Sequence, residues 1–240
     1  MGIQTQTVEY KDGDIVLEAH MAWDDSETGS RPGVLVSHAW AGRSEFEDRR
    51  AERLAELGYV GFALDLYGKS MRGSSPEENA ALMQPFLDDR GLLQRRMQLA
   101  LNQLSQQKAV DRSRTAAIGF CFGGLSVLDL ARSGADLRGV VSFHGLLGAP
   151  DNTDDVSITA KVLVLHGWRD PLATPQQVVA FGEEMSGHGV DWQLNAYGNC
   201  MHAFTNPAAE TPEIGMQYDP VADHRSWDAM WVFLNEVFSQ

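Results

Sequence analysis

Gly119-Phe120-Cys121-Phe122-Gly123-Gly124 follows the apolar run Thr115-Ala116-Ala117-Ile118 and opens a helical pattern that carries Leu125 and Leu128 and stops by Gly134. A reactive side chain held on a sharp strand-to-helix bend needs glycine on either side, because larger neighbours would collide across the turn. With glycine at about a tenth of positions, three glycines placed this way around either of two cysteines arise by chance about 0.2% of the time. The helix that follows would aim its positive N-terminus at the Cys121 sulfur, lowering a thiol pKa and stabilising anions. Two other readings compete. A dinucleotide-binding turn wants glycine where Cys121 stands, so that backbone can approach pyrophosphate. A buried free cysteine often behaves as an inert small hydrophobe.

Outward from this bend, short continuous apolar runs alternate with helical patterns: Val34-Leu35-Val36, Val60 to Leu64, Val140 to Phe143 and Val162 to Leu165. Such runs expect burial on both faces, as in a parallel sheet wrapped by helices. Upstream, Thr5 to Tyr10 and Ile15 to Trp23 flank an Asp12-Gly13 pair and predict an antiparallel hairpin, followed by a polar segment from Asp24 to Arg31. Ser44 and Glu47 predict a capping box, with Phe46, Ala51, Leu54 and Ala55 as an apolar stripe and Gly58 as the helix stop. At the C-terminus, Trp227, Trp231, Leu234 and Phe238 are expected on one core-facing stripe. No repeat or long linker separates these elements, so residues 1–240 read as one α/β domain.

Composition bounds the function. The chain has 240 residues and a formal net charge of −14, which opposes attraction to nucleic acid and to anionic membranes. A chain of this length can bury most of its surface in one core without staples. Two cysteines make neither a disulfide framework nor a thiolate-rich zinc site. The N-terminus carries no basic-then-apolar leader, and no apolar stretch reaches the roughly 20 residues of a spanning helix, so a cytoplasmic protein is expected. No metal and no cofactor are implied, and a homodimer stays open.

In an open parallel sheet, chemistry gathers past the carboxyl ends of the strands. There lie His38-Ala39-Trp40-Ala41-Gly42, Asp65-Leu66-Tyr67, the Cys121 bend, His144 and His166-Gly167-Trp168-Arg169-Asp170. A nucleophile needs a base and a group to orient it, and in α/β hydrolases these follow in the order nucleophile, acid, histidine. Cys121, Asp170 and His202 comply, although Asp170 also reads as a turn or capping residue and His202 as an ordinary loop histidine. Backbone N–H groups of Phe122 and Trp40 are the expected oxyanion donors. His38, His144 and His166 read more readily as satisfied structural histidines, and Cys200 as a bystander, with a redox partnership to Cys121 the lesser alternative.

Taken together, the His38–Gly42 loop, Asp65-Leu66-Tyr67, the Gly119–Gly124 bend, Gly167-Trp168-Arg169-Asp170-Pro171 and His202-Ala203-Phe204 resemble the dienelactone hydrolase family of α/β hydrolases across nearly the whole chain. The resemblance implies the α/β-hydrolase fold, a mostly parallel sheet with an N-terminal antiparallel hairpin and helices on both faces, and a Cys121-His202-Asp170 triad. It is similar to a metagenome-derived member that hydrolyses aryl esters and phosphotriesters without metal. Two departures matter. Family members that open dienelactones carry a glutamate where this chain has Ala39, and an arginine where it has Asn206. The thiol must then rely on His202, and a neutral substrate becomes the better expectation: an ester, lactone or phosphotriester seated among His38, Ala39, Tyr67, Phe86, Phe143, Trp168 and Phe204. The rival class is a non-catalytic ligand-binding or thiol-sensing protein on the same fold.

Overall fold

In the computed structural model, which describes residues 2–26, 28–153 and 156–239, the chain forms six α-helices and ten strands among the described residues. Met1 of the N-terminal reading and Glu27 of the polar segment lie outside the described residues. Eight strands order as β1-β2-β4-β3-β5-β6-β7-β8 in one mostly parallel sheet with an antiparallel N-terminal hairpin: β1 (Ile3–Asp12), β2 (Ile15–Asp24), β3 (Arg31–Ser37), β4 (Val60–Ala63), β5 (Val110–Phe120), β6 (Gly139–Phe143), β7 (Lys161–Gly167) and β8 (Trp192–Tyr197). Packing divides the chain into two compact units, Met1–Ile118 and Gly119–Gln240.

In the first unit the hairpin is longer than expected, and its turn is shifted by one residue. Asp12 still pairs with Ile15, so Gly13-Asp14 is the loop, and only Gly13 takes positive φ, at 59°. Glycine at the first loop position with its neighbour at negative φ is the pattern of a II′ rather than a I′ turn. β2 continues antiparallel onto β4, and β4 runs parallel to β3. The all-buried sequences of β3 and β4 meet the rule for two-sided burial. Helix α1 (Glu45–Glu56) starts at Ser44 with the full capping box to Glu47, and Gly58 follows at φ 89°. It lies so close to β4 that a Cβ on Gly61 would fall 2.2 Å from the Ala51 carbonyl oxygen. Phe46 of the expected stripe is only half-buried, and the Arg50 guanidinium lies 4.8 Å from its ring centre. Helices α2 (Pro76–Asp88) and α3 (Arg90–Ser105) complete this unit.

The second unit is built on β6, β7 and β8, which run parallel in consecutive register. Helix α4 (Phe122–Arg132) is buried along its entire length. Its last residue, Arg132, is closed off from solvent and holds Glu184 of helix α5 (Pro175–Gly187) by two bonds, at 2.8 and 2.7 Å. The same guanidinium donates to the Leu147 and Gly148 carbonyls, so the loop after β6 is fixed by a paired charge. Helix α6 (Pro220–Phe238) corrects the C-terminal reading: Trp227, Leu234 and Phe238 are buried, but Trp231 is 43% exposed. Met230, Val237, Trp227 and Leu234 occupy the buried arc, and Trp231 sits about 100° round the helix from Met230, at the edge of that arc. Among the described residues no helix is long and apolar enough to cross a membrane.

Candidate active site

The bend at Cys121 has the strain its glycines foreshadow. Cys121 sits at φ 56°, ψ −116°, between β5 and α4, a conformation that side-chain-bearing residues rarely adopt. A Cβ on Gly119 would lie 2.0 Å from the Gly123 carbonyl oxygen, and one on Gly124 would lie 2.7 Å from the Gly145 Cα. The Cys121 carbonyl accepts from the N–H groups of Gly124 and Leu125, so the helix begins at the cysteine itself. Cys121 is half-buried.

Asp170 and His202 meet in this unit. His202 Nδ1 lies 2.7 Å from Asp170 Oδ2, both residues being buried, while Asp170 Oδ1 accepts from the Leu172 N–H at 2.8 Å. The aspartate therefore shapes its own turn and orients the imidazole at once, and the bond fixes the His202 proton on Nδ1. Nε2 is shut off from solvent. Burial pushes the imidazole pKa down, but the charge of the Cys121 sulfur and the bonds to Asp170 and Cys121 outweigh it and raise the value to about 10.

A feature absent from the sequence reading holds the histidine loop. After Phe204 the chain makes a short excursion through β9 (Glu210–Thr211), a 3-10 turn at Pro212–Ile214 and β10 (Met216–Gln217). The His202 N–H donates to the Gly215 carbonyl, and the Gln217 N–H to the His202 carbonyl. Gly215, at φ 80°, packs so tightly that a Cβ there would lie 2.3 Å from Pro171 Cγ, which ties the loops of His202 and Asp170 together. A glycine followed by an alternating pair is too weak a signal to reveal this from sequence.

The remaining strand-end residues divide. In the first unit His38 is buried and satisfied: Nδ1 is 2.7 Å from the Ala39 carbonyl oxygen and Nε2 accepts from the Leu66 N–H. Asp65 accepts from the Tyr67 and Gly68 N–H groups, a structural turn. The Tyr67 hydroxyl donates to the Trp40 carbonyl, and its ring centre lies 5.5 Å from that of Phe86. Trp40 and Ala39 are half-buried, and the Ala39 N–H donates to Glu47. In the second unit Phe122, Phe143 and Phe204 are core residues, Phe143 stacking on Phe120 at 4.7 Å, whereas Trp168 is 46% exposed. His144 is bonded at both nitrogens. His166 departs from the expectation of a satisfied histidine: both ring nitrogens are buried without a partner, and burial, opposed by Asp170 and reinforced by His202, lowers its pKa.

Cys200 is buried, and burial together with the Asp219 carboxylate raises its thiol to about 11. At pH 7.5 it is therefore a neutral thiol, and thiolate chemistry is closed to it. Alkylation of the native protein at that pH is expected to add one equivalent, at Cys121, read by intact mass; a second equivalent at Cys200 would contradict this. Among the described residues no three His, Cys, Asp or Glu side chains cluster to hold a metal ion.

A glycine-pinched strand-to-helix bend in a mostly parallel sheet, with a histidine–carboxylate pair at later strand ends, is the arrangement of the α/β-hydrolase fold. Residues 17–238 match the family model described as the dienelactone hydrolase family. An uncharacterized protein of Caenorhabditis elegans is 41% identical over 159 residues, covering 63% of this chain and 98% of its own. A probable 2-oxo-3-(5-oxofuran-2-ylidene)propanoate lactonase of Bradyrhizobium is 29% identical over 86% of this chain and 84% of its own. Among solved structures, a dienelactone hydrolase-like promiscuous phosphotriesterase from metagenomic libraries is similar at a TM-score of 0.95 and 38% identity, covering 99% of this chain and 100% of its own. The chain belongs to the dienelactone hydrolase family and is a hydrolase of ester bonds.

Proposed function

We propose that this hydrolase works without metal, with Cys121 as nucleophile, His202 as base and Asp170 as the group that orients it, on aryl esters and lactones and on phosphotriesters. The observation that carries the reading is the His202–Asp170 pair, 2.7 Å apart, in an imidazole whose pKa the Cys121 charge helps to raise. The lactonase and phosphotriesterase relatives support the substrate classes.

The sulfur attacks a carbonyl carbon or phosphorus, and charge develops on an oxygen that takes a hydrogen bond from the Phe122 N–H. The intermediate is tetrahedral at carbon and five-coordinate at phosphorus. As the aryloxide leaves it takes the proton from the His202 imidazolium, and sulfur becomes a neutral thioester or thiophosphoryl group. That step removes the sulfur charge that favoured imidazolium. Burial then has only Asp170 to oppose it, so the imidazole pKa falls and His202 becomes the base for the second half-reaction. It deprotonates water, the hydroxide adds to the acyl or phosphoryl centre, and the Cys121 thiolate leaves. The base is thus switched on by acylation itself.

The test is intact mass of samples quenched in the first turnovers with a nitrophenyl ester and the matching phosphotriester, with and without chelator. An increment equal to the acyl or phosphoryl group on the Cys121 peptide is expected, at a rate the chelator leaves unchanged. Continued turnover without any adduct, or loss of turnover on chelation, would sink the covalent route. Stoichiometric labelling that never turns over would favour the non-catalytic thiol-binding class.

A further inference from the structure

Three side-chain-bearing residues of the second unit take positive φ: Cys121 at 56°, His144 at 39° and Ala203 at 57°. Cys121 and His144 are joined by a hydrogen bond, and a second bond runs from His144 to Thr205, two residues after Ala203. The Cys121 N–H is shared between the Phe143 carbonyl at 3.0 Å and His144 Nδ1 at 3.2 Å. Because Nδ1 accepts there, the ring proton sits on Nε2, which lies 2.8 Å from the Thr205 hydroxyl oxygen and donates to it. Both His144 and Thr205 are buried, and Thr205 stands three residues after His202. The His144 ring meets His202 edge-on with centroids 5.3 Å apart, and its own N–H is anchored on the Leu165 carbonyl of β7.

We propose that Thr205 and His144 are a positioning pair: Thr205 fixes the His144 tautomer, and His144 holds the strained Cys121 bend in register with the loop that carries His202. The inference rests on the reading of Cys121 as nucleophile. Its physical content is the direction of one proton. Without the threonine oxygen, the imidazole is free to carry its proton on Nδ1, where it would face the Cys121 N–H donor to donor, and the bend would lose an acceptor. Strained backbone persists only where surrounding bonds over-determine it. A small rotation there moves the sulfur relative to His202, to which attack is steeply sensitive. In this proposal neither residue bonds substrate, so the effect is expected in the rate of adduct formation rather than in binding.

Thr205→Val keeps shape and removes only the hydroxyl, and Thr205→Ser returns it. His144→Leu removes the acceptor, and His144→Asn restores an oxygen near Nδ1. In Thr205→Val the rate of Cys121 adduct formation is expected to drop about tenfold, the worth of one hydrogen bond, with KM and melting temperature nearly unchanged. In His144→Leu the loss is expected on the order of 100-fold, with Thr205→Ser and His144→Asn recovering most of their losses. Wild-type adduct rates in Thr205→Val would overturn the proposal even if His144→Leu fails to fold. So would serine and asparagine variants no better than valine and leucine, because packing alone would then account for the effect. Cys121→Ala is assayed alongside. If it retains turnover, the nucleophile reading itself fails; if it is inactive while Thr205→Val behaves as wild type, only the positioning pair is lost.

Discussion

Cys121→Ala is expected to lower kcat/KM on a nitrophenyl ester by about a thousandfold or more, His202→Ala by a similar factor, and the double variant by no more than the worse single one. The reason is that in the proposed mechanism the groups act as a unit. Asp170 holds the imidazole at 2.7 Å with its proton on Nδ1, which leaves Nε2 as the nitrogen that would exchange a proton in the proposed reaction. Without the sulfur, that oriented base has nothing to activate. Without the base, no group accepts the thiol proton, and any thioester formed is hydrolysed only by unassisted water. Residual rate reflects oxyanion donors and substrate binding alone. Steady-state kinetics on the two singles and the double decide the matter. Losses that multiply in the double variant would mean that Cys121 and His202 act independently, contrary to a shared mechanism. A loss of less than tenfold in Cys121→Ala would remove the nucleophile from the scheme.

Gly119→Ala is the substitution with the largest expected effect on stability, about 3 kcal/mol, or a melting temperature lower by roughly 6–12 °C. A Cβ at this position would lie 2.0 Å from the Gly123 oxygen and 2.3 Å from its carbonyl carbon. Those are backbone atoms of the first turn of α4, so no flexible side chain can yield. Relief requires the helix to move away from β5, which opens the bend and displaces Cys121. The variant that folds is therefore expected to lose activity as well. Gly187→Ala, with open space around its Cα and no positive φ, serves as the matched control and is expected to stay within about 0.5 kcal/mol of wild type. Equal melting temperatures for the two variants would show that the bend can relax, and would undercut the role given to its glycines.

Much of this was open to reading from the chain because the signals are local. Ser44 and Glu47 stand three residues apart and satisfy each other's donors, so the start of α1 needs no tertiary information. The continuous apolar runs of β3, β4, β6 and β7 announce two-sided burial. Less local features escaped. Trp231 carries the apolarity of a core residue, yet Met230 and Phe233 of the same helix have the inward positions, and the choice between neighbouring arcs is made by the sheet. The excursion through β9 and β10 consists of two-residue strands whose stability is entirely tertiary.

The site divides along the same line. Residue chemistry and spacing along the chain were enough to nominate Cys121, Asp170 and His202, because a bend pinched by glycine and an order of nucleophile, acid and base are written in one dimension. Distance between residues far apart in the chain is not. That Asp170 and His202, 32 positions apart, meet at 2.7 Å depends on Gly215 fitting against Pro171 and on the Gly215 carbonyl receiving the His202 N–H. That His144 braces the cysteine backbone while His166 sits buried without a hydrogen bond could not be told from two histidines at equivalent strand ends. Identity alone settles which chemistry a side chain can perform. Which partner it finds is decided by packing, since a hydrogen bond forms or fails over a few tenths of an ångström that only the folded backbone sets.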